Sequence, residues 1–302
     1  MTWIFLAISA ACLWALVNVG DKYVVGNRIT NPYVYTVVGF LAGTVGLVIL
    51  PFVNFYVPSL YVLLWLFIST LGFFVGTFFY LKAMSGEEVT RLMILFNSLS
   101  IFTLLFSWFF IGEKLTAYQL VAFGLLLAGA VFSSLHFNSG KVKFSVVFVW
   151  AMLSCVFYAV YDVVTRYLVV NNFISYDLVF VYLTFFITGF SLLLFVFGKF
   201  RRNWKGNLKG VFTWKLLLII FGIMAASRVG TLLHAKALVS GPVSLVVVTE
   251  EATQSLMVFI LAGLISWLAP KYIKEEWDKK NLLFKLVALI LVIVGIMFLN
   301  LG

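Results

Sequence analysis

The sequence predicts an all-α integral membrane protein whose ten transmembrane helices form two inverted repeats of five helices. Composition gives the first reason: 64% of the 302 residues are hydrophobic and 11% are charged, and the mean hydropathy is +1.12. A soluble domain carries about 25% charged residues. The second reason is that apolar runs of about 20 residues, enough for a helix to cross roughly 30 Å of hydrocarbon, recur along the chain. The third reason is a sequence repeat between the two halves.

Ten apolar segments are long enough to be transmembrane helices. They lie at residues 2–20, 33–53, 60–82, 89–111, 117–135, 145–169, 177–197, 215–237, 243–268 and 283–300. Short connectors with turn-forming residues separate them. The length of the runs and the lack of strict alternation favour helices over barrel strands. The first segment lacks a basic start and a small-residue cleavage pattern, so it is interpreted as a span rather than a signal peptide.

The net charge of +10 is explained by membrane topology and does not indicate a nucleic-acid partner. Most basic residues between the spans lie in loops that follow an odd-numbered span. They are Lys141, Lys143, Lys199, Arg201, Arg202, Lys205, Lys209, Lys271, Lys274, Lys279 and Lys280. The positive-inside rule places such loops in the cytoplasm and therefore both termini outside. We expect a multi-pass protein of the cell membrane.

Two short sequence matches relate the halves of the chain. WALVNVGDKYVV of the first span matches YAVYDVVTRYLV of the sixth and pairs Asn18 with Asp162. YLKAMSGEEVT of the third span matches HAKALVSGPVS of the eighth and pairs Lys82 with Lys236. The predicted repeats are residues 1–138 and 141–302, the second with a basic loop at 199–213. Because each repeat has an odd number of spans, the two copies insert in opposite orientations, as in many secondary transporters.

The stretch SLVVVTEEATQSLMVFILAG places Glu250 and Glu251 inside the ninth predicted span. Ionised side chains near the bilayer centre cost at least about 2.5 kcal/mol each on insertion scales, so they persist where they face a cavity or a partner. The two glutamates point about 100° apart on a helix, and Gln254 follows Glu251 by three residues on the same face. The repeat makes Glu251 equivalent to Asn97. Glu251 is therefore the better candidate to face a cavity.

Arg228, in the middle of the eighth predicted span, is the expected counter-charge of Glu250 or Glu251. Arginine does not lose its proton in proteins. Two interpretations remain open: a fixed ion pair that only holds helices together, or a charged pair that lines a central cavity and binds a polar or zwitterionic substrate. A carboxylate in such a cavity is also compatible with coupling to protons or another ion.

Further polar and aromatic side chains extend the candidate site. Asn18 and Asp162 are repeat mates, and Trp14, Tyr158 and Tyr161 of the matching segments provide an aromatic wall for a cation or a ring. Asp162 could instead pair locally with Arg166, four residues later. Three more side chains are candidates for gating or charge pairing: Lys82, Lys236 and His234. For the lysines the simpler interpretation is snorkelling to the interface, and for the histidine a hydrogen bond between helices.

The segments WALVNVGDKY, YLKAMSGEEV and FFIGEKLTAYQLVAFGLLLAGAVF resemble the ten-helix, EamA-type proteins of the drug/metabolite transporter superfamily. In the last segment a Gly-Glu pair and a basic residue close the fourth span, and a Gly-rich fifth span follows. The second half departs from this pattern, because WLAPKYIKEEWDKKN replaces the Gly-Glu turn. The fourth span has NSLSIF where related proteins often have a proline. The resemblance implies a metabolite transporter with cytoplasmic termini, whereas the charge bias places the termini outside.

Two functions are compatible with these features. The first is secondary transport of a small polar metabolite, with an amino acid or similar zwitterion favoured, by alternating access; Arg228 would contact its anionic group and Glu251 its cationic group. The alternative is a membrane-embedded lipid or polyprenyl-carrier flippase in which Arg228 and Lys236 meet a phosphate. The sequence contains no Gly-rich phosphate loop, Ser-His-Asp order or Cys/His metal spacing. Neither an enzyme nor a cofactor or metal site is therefore predicted.

Overall fold

A computed structural model describes residues 2–112, 116–138, 141–144, 146–198, 201, 204, 213–241, 243–273, 275 and 279–301. Nearly all of these residues are helical. Most of the predicted basic loop, 199–213, lies outside the described residues, and so do Lys274 and the positions 276–278.

Helical structure follows the predicted spans. In chain order the helices are α1 (Thr2–Asn27), α2 (Pro32–Ala42, continued by a 3-10 helix, Gly43–Phe52), α3 (Leu60–Gly86), α4 (Val89–Phe96), α5 (Ser98–Phe106, continued by a π-helical turn, Ser107–Ile111), α6 (Ala117–Ser134), α7 (Val147–Val170), α8 (Tyr176–Leu193, continued by a 3-10 turn, Leu194–Val196), α9 (Trp214–Ser240), α10 (Val243–Leu268) and α11 (Lys279–Leu301). A short antiparallel hairpin of β1 (Leu135–Asn138) and β2 (Lys141–Phe144) precedes α7. The sequence predicted only a turn there.

Eight helical segments in the described part are long and apolar enough to cross a membrane. They are Trp3–Asn27, Pro32–Phe52, Leu60–Gly86, Val89–Ile111, Val147–Val170, Tyr176–Val196, Trp214–Ser240 and Leu245–Leu268. The two remaining predicted spans, 117–135 and 283–300, coincide with α6 and α11 but do not belong to this set of eight. A multi-pass helical membrane protein is therefore established by length and composition, while ten crossings stay a prediction.

Side-chain caps fix where several of these helices begin. Asn31 Oδ1 accepts hydrogen bonds from the backbone N–H groups of Tyr33 and Val34 at the start of α2. Ser59 and Ser175 accept equivalent bonds at the starts of α3 and α8. Each cap satisfies backbone donors that have no partner inside the helix.

The fourth predicted span is interrupted at Asn97, between α4 and α5. The Asn97 N–H group bonds to the carbonyl of Ile94, three residues earlier, at 3.3 Å. The Asn97 side-chain amide donates to the carbonyls of Met93 and Ile94, at 3.1 and 3.2 Å. An asparagine side chain competes with the backbone for such carbonyls, so the helix breaks here without a proline.

The two halves of the chain interleave through their helices. The helix α1 packs against α9 and α10, α3 and α5 pack against α7, and α6 packs against α11. The contact between α3 and α7 is close because Gly72 has no side chain. A Cβ atom at Gly72 would lie 2.8 Å from the carbonyl oxygen of Phe157 on α7.

We expect Gly72→Ala to lower thermal stability, because the added methyl group would force the α7 backbone away from α3. Overpacking of this kind costs about 1–3 kcal/mol. Gly222→Ala on α9 is the matched control, since a Cβ atom there meets nothing within 4 Å. Alanine in a helix is more stable than glycine by roughly 0.5–1 kcal/mol. Melting temperatures of both variants in one detergent provide the comparison; a Gly72→Ala protein as stable as the parent would contradict the close contact.

Candidate functional site

A central cavity with about 1050 Å³ of empty space, its mouth included, lies between helices of the two halves. Aromatic and aliphatic side chains form most of its wall, and polar groups enter it from α1, α7, α9 and α10. Ten of the predicted site residues line it: Trp14, Asn18, Tyr158, Tyr161, Asp162, Arg228, His234, Glu250, Glu251 and Gln254. The candidates Asn97, Lys82 and Lys236 do not line it.

Arg228 is 5% exposed, and its Nε and Nη1 atoms have no hydrogen-bond partner. The expected ion pair with Glu250 or Glu251 is absent from the described part of the chain, so this prediction is wrong. The reason is that the guanidinium lies against the 3-10 continuation of α2. A Cβ atom at Gly43 would lie 2.5 Å from Arg228 Nη2, and one at Gly46 would lie 3.3 Å from Arg228 Cδ. The absence of side chains at Gly43 and Gly46 thus leaves the space that the Arg228 side chain occupies.

Glu250 contacts a histidine instead of the arginine. His234 Nδ1 lies 2.7 Å from Glu250 Oε2, and His234 Nε2 lies 3.1 Å from Asp162 Oδ1. All three side chains are at least 95% buried and come from α9, α10 and α7. The predicted local pair of Asp162 with Arg166 is not formed, because Asp162 contacts His234 and Arg166 donates to the carbonyl of Leu238.

Three buried acceptor atoms on α10 have no partner: Glu250 Oε1, Glu251 Oε2 and Gln254 Oε1. The amide of Gln254 donates to Met93 Sδ at 3.3 Å. A buried acceptor without a donor costs about 1–3 kcal/mol, and more when it is charged. The cavity therefore presents unused acceptors on α10 and unused donors of Arg228 on α9.

Asp21 belongs to the same cavity, although it was not among the predicted site residues. The hydroxyl groups of Tyr35 and Tyr80 donate to it at 2.5 and 3.3 Å. Tyr80 also donates to Asn18 Oδ1 at 2.7 Å. Asp21 follows Asn18 by three residues, a spacing that places both on one helical face. That spacing could have identified it.

Trp14, Tyr158 and Tyr161, the residues of the predicted aromatic wall, line the cavity. The ring centroids of Trp14 and His234 are 5.2 Å apart. The hydroxyl of Tyr158 lies 2.9 Å from the hydroxyl of Thr77. Tyr161, which lies next to Asp162, stacks with the His234 ring at a centroid distance of 6.3 Å.

The remaining candidates contact other parts of the protein. Asn97 donates to Ser255 Oγ at 2.7 Å and so joins the break between α4 and α5 to α10. The Nζ atom of Lys82 lies 3.4 Å from the ring centroid of Trp150. Lys236 is exposed, and its Nζ atom lies 5.7 Å from the ring centroid of Tyr176. Asn97 and Lys82 thus contact neighbouring helices, and Lys236 lies at the surface.

A buried charge network near the start of α4 was not predicted. Arg91 Nε contacts Glu88 at 3.0 Å, and Lys285 Nζ contacts Glu88 at 2.7 Å and Glu275 at 2.8 Å. Arg91 Nη2 donates to Asn281 Oδ1 at 2.8 Å. Burial raises the pKa of Glu275, while the nearby Lys285 ammonium opposes that rise. We refer to Glu88, Arg91, Glu275, Asn281 and Lys285 as the α4–α11 network.

The fold is that of a multi-pass helical membrane protein with a polar central cavity. Residues 1–135 match the model of the EamA-like transporter family, which confirms over the first half of the chain the resemblance inferred from the sequence. No curated protein matches the chain. One solved structure, described as "Crystal structure of protein", is 17% identical with a TM-score of 0.63, and the match covers 99% of this chain and 96% of that one. At this identity the likeness shows the fold alone.

Proposed function

We propose that the protein is a secondary transporter that moves a small zwitterionic metabolite, such as an amino acid, by alternating access between two inverted repeats of five helices each. The observation that carries this proposal is the pairing of unused groups in the central cavity. Arg228 supplies donors without acceptors, while Glu250 and Glu251 supply acceptors without donors. A substrate with both an anionic and a cationic group satisfies both sets.

The chemistry of each group defines its role in binding. A guanidinium presents a planar set of donors that matches a carboxylate, and such charge-assisted bonds are about twice as strong as neutral ones. Glu251 Oε2 accepts from an ammonium group, and the rings of Trp14 and Tyr158 provide faces for a cation or an apolar side chain.

Equivalent contacts in the two halves support the inverted repeat. The sequence matches pair Asn18 with Asp162 and, at the starts of the second pair of segments, Tyr80 with His234. In the first half Tyr80 donates to Asn18 at 2.7 Å. In the second half His234 lies 3.1 Å from Asp162. The same two positions of each repeat are therefore in contact, as a two-fold relation between the repeats requires.

A second equivalent pair lies farther along the same helices. Lys22 Nζ donates to the carbonyl of Met84 at 2.8 Å. Arg166, the mate of Lys22, donates to the carbonyl of Leu238, the mate of Met84. The packing of α1 against α9 and of α7 against α3 follows the same relation. These contacts also favour ten membrane crossings, since α6 and α11 occupy equivalent places and pack against each other.

The flippase alternative required Arg228 and Lys236 to form a phosphate site. Arg228 lies in the cavity, but Lys236 is exposed and lies outside it. The structure therefore does not assemble that pair of basic groups, and the zwitterion site is the better-supported proposal.

A ligand screen tests the proposed function. A ligand that binds only the folded protein raises its stability by about 2.7 kcal/mol at a concentration of 100 Kd. The compounds screened are amino acids, sugars, quaternary amines and nucleotides. Of these, we expect the amino acids to raise the melting temperature of the purified protein in a saturable manner. A shift from phospholipid or polyprenyl phosphate, with none from any soluble metabolite, would instead support the flippase.

We expect Glu251→Gln to weaken binding of the stabilising amino acid by about 10- to 100-fold. A hydrogen bond to a charged group contributes about 1.5–3 kcal/mol, which corresponds to that range of affinity. Asp177→Asn is the matched control, because Asp177 lies in the first turn of α8 and does not line the cavity. The concentration of amino acid that gives half of the maximal shift measures the effect. An unchanged half-saturation point in Glu251→Gln would remove Glu251 from the site.

A further inference from the structure

We infer that His234, held between Asp162 and Glu250, is a proton-binding site through which the protein exchanges a proton for its substrate. This inference rests on the proposed transport function. The three side chains come from three different helices and all line the central cavity. The site is therefore connected to the space in which the substrate binds.

The geometry fixes the number of protons that the three side chains hold. Both ring nitrogens of His234 face carboxylate oxygens, at 2.7 and 3.1 Å. An ionised carboxylate only accepts hydrogen bonds, and a neutral imidazole has one donor nitrogen and one acceptor nitrogen. Two hydrogen bonds therefore need two protons: either an imidazolium lies between two carboxylates, or a neutral ring lies beside one protonated carboxyl group.

Loss of one proton changes the interaction. A nitrogen lone pair would then face a carboxylate lone pair, and one of the two contacts would become repulsive. The net charge of the three groups would change from −1 to −2 in a site where Asp162, His234 and Glu250 are nearly inaccessible to solvent. Uncompensated buried charge costs several kcal/mol. A compensating cation must therefore enter when the proton leaves.

The substrate ammonium group is suited to be that cation. Glu250 Oε1 and Glu251 Oε2 are unpartnered acceptors in the same cavity. In the proposed exchange one N–H bond of the imidazolium breaks, its electron pair stays on the ring nitrogen, and the proton leaves to water in the cavity. The ammonium group then donates to Glu250 Oε1 and Glu251 Oε2, and its charge replaces that of the proton beside Glu250. No group is oxidised or reduced.

The charged and titratable groups that line the same cavity are compatible with this role. They are Asp21 on α1, Tyr35 on α2, Tyr80 on α3, Tyr158, Tyr161 and Asp162 on α7, Arg228 on α9, and Glu250 and Glu251 on α10. Arg228 forms no ion pair with these carboxylates, so it does not replace the proton. The imidazole is thus the group that compensates Asp162 and Glu250 directly.

The first repeat has no imidazole at the position equivalent to His234. The mate of His234 there is Tyr80, which donates to Asn18 and to the carboxylate of Asp21. Among side chains, imidazole is the one that changes its charge near neutral pH without a strong perturbation. The imidazole therefore distinguishes the second repeat from the first.

Nuclear magnetic resonance of ¹⁵N-labelled histidine tests the proton site without a substrate. The chain has two histidines, His136 in β1 and His234, so His136→Gln leaves a single imidazole signal. At about pH 7 we expect both ring nitrogens to be hydrogen-bonded, with two protons on the His234, Asp162 and Glu250 set. Adding Asp162→Asn and Glu250→Gln should leave a neutral ring with one proton. A bare, unbonded nitrogen in the parent, or identical spectra, would overturn the inference.

Proteoliposomes containing the pH dye pyranine test the exchange. External addition of a mixture of proteinogenic amino acids should raise the internal pH with the wild-type protein and not in protein-free vesicles. His234→Gln should reduce at least about tenfold the pH change per labelled amino acid that the same vesicles take up. A pH change that persists in His234→Gln, or an internal acidification in the wild type, would overturn the exchange. Absence of any amino-acid exchange in the wild type would overturn the transport function, and the spectra would then decide the proton site separately.

Discussion

Arg228→Ala is expected to weaken binding of the zwitterionic substrate at least about 100-fold. The substitution removes the only positive group that α9 presents to the cavity with unpartnered donors, in the part of the chain that the structure describes. Removing one partner of a buried, hydrogen-bonded charge pair costs about 2–5 kcal/mol of binding free energy. Arg228→Lys should give an intermediate loss, because it keeps the charge but not the planar donor set. Equilibrium binding of the amino acid found in the stability screen measures both variants.

Arg28→Ala is the matched control for that substitution. Arg28 is exposed after the end of α1, and its Nε atom donates to the hydroxyl of Tyr23; neither residue lines the cavity. We expect the Arg28→Ala protein to bind the amino acid with the same affinity as the wild type. The Arg228→Ala protein should be at least as stable as the wild type, because it no longer buries unpartnered donors. Unchanged binding would exclude Arg228 from the site, and a protein that no longer folds would indicate a structural role.

Lys285→Met is expected to produce the largest loss of stability, about 3–5 kcal/mol, because it leaves the buried Glu275 carboxylate without the ammonium group that contacts it. Lys285 contacts Glu88 at 2.7 Å and Glu275 at 2.8 Å, and its side chain is completely buried. Lys279→Met, an exposed change at the start of the same helix, is the control. Unfolding of the detergent-solubilised proteins by heat or denaturant gives the comparison.

The pH dependence of Lys285→Met identifies the cause of its instability. Burial raises the pKa of Glu275 above its usual 4.5, and Lys285 opposes that rise. Without Lys285 the pKa rises further, so the neutral carboxyl is favoured in the folded protein. For a carboxyl with a raised pKa, that stabilisation is complete below the unfolded pKa and is lost as the pH increases through the folded pKa. The variant should therefore lose less stability at about pH 5 than at about pH 8; equal losses would contradict the ion-pair explanation.

The positions of the helices were largely predictable because hydrophobic length sets the span of a membrane helix. The ends were less predictable where polar residues continue a helix. The first span was predicted to end at residue 20, but α1 continues to Asn27. Asp21 faces the cavity, and Lys22 donates to backbone carbonyls of α3 and of the residue that follows it. Hydropathy alone does not indicate that these two polar residues face a cavity and bind backbone carbonyls inside the protein.

The identity of the cavity residues was also partly predictable, since charged groups are expensive in a membrane and remain where they contact a cavity. Their partners were not predictable, because pairing depends on the rotation and depth of each helix. Arg228 was expected to pair with a glutamate, but His234 occupies that place and Arg228 fits beside Gly43. The repeat makes Asn97 equivalent in sequence to Glu251, and for this reason Asn97 was predicted to line the cavity. Instead Asn97 contacts Ser255 and lies outside the cavity wall.

Counterflow of amino acids across proteoliposomes tests the central claim most directly. Vesicles loaded with an unlabelled mixture of amino acids are diluted into a trace of the same mixture carrying a radioactive label. With the wild-type protein the label should accumulate transiently inside above its equilibrium level, and with Arg228→Ala it should not. Entry of the label at the rate of protein-free vesicles, together with accelerated movement of a fluorescent phospholipid between leaflets, would contradict transport of a zwitterion through the central cavity.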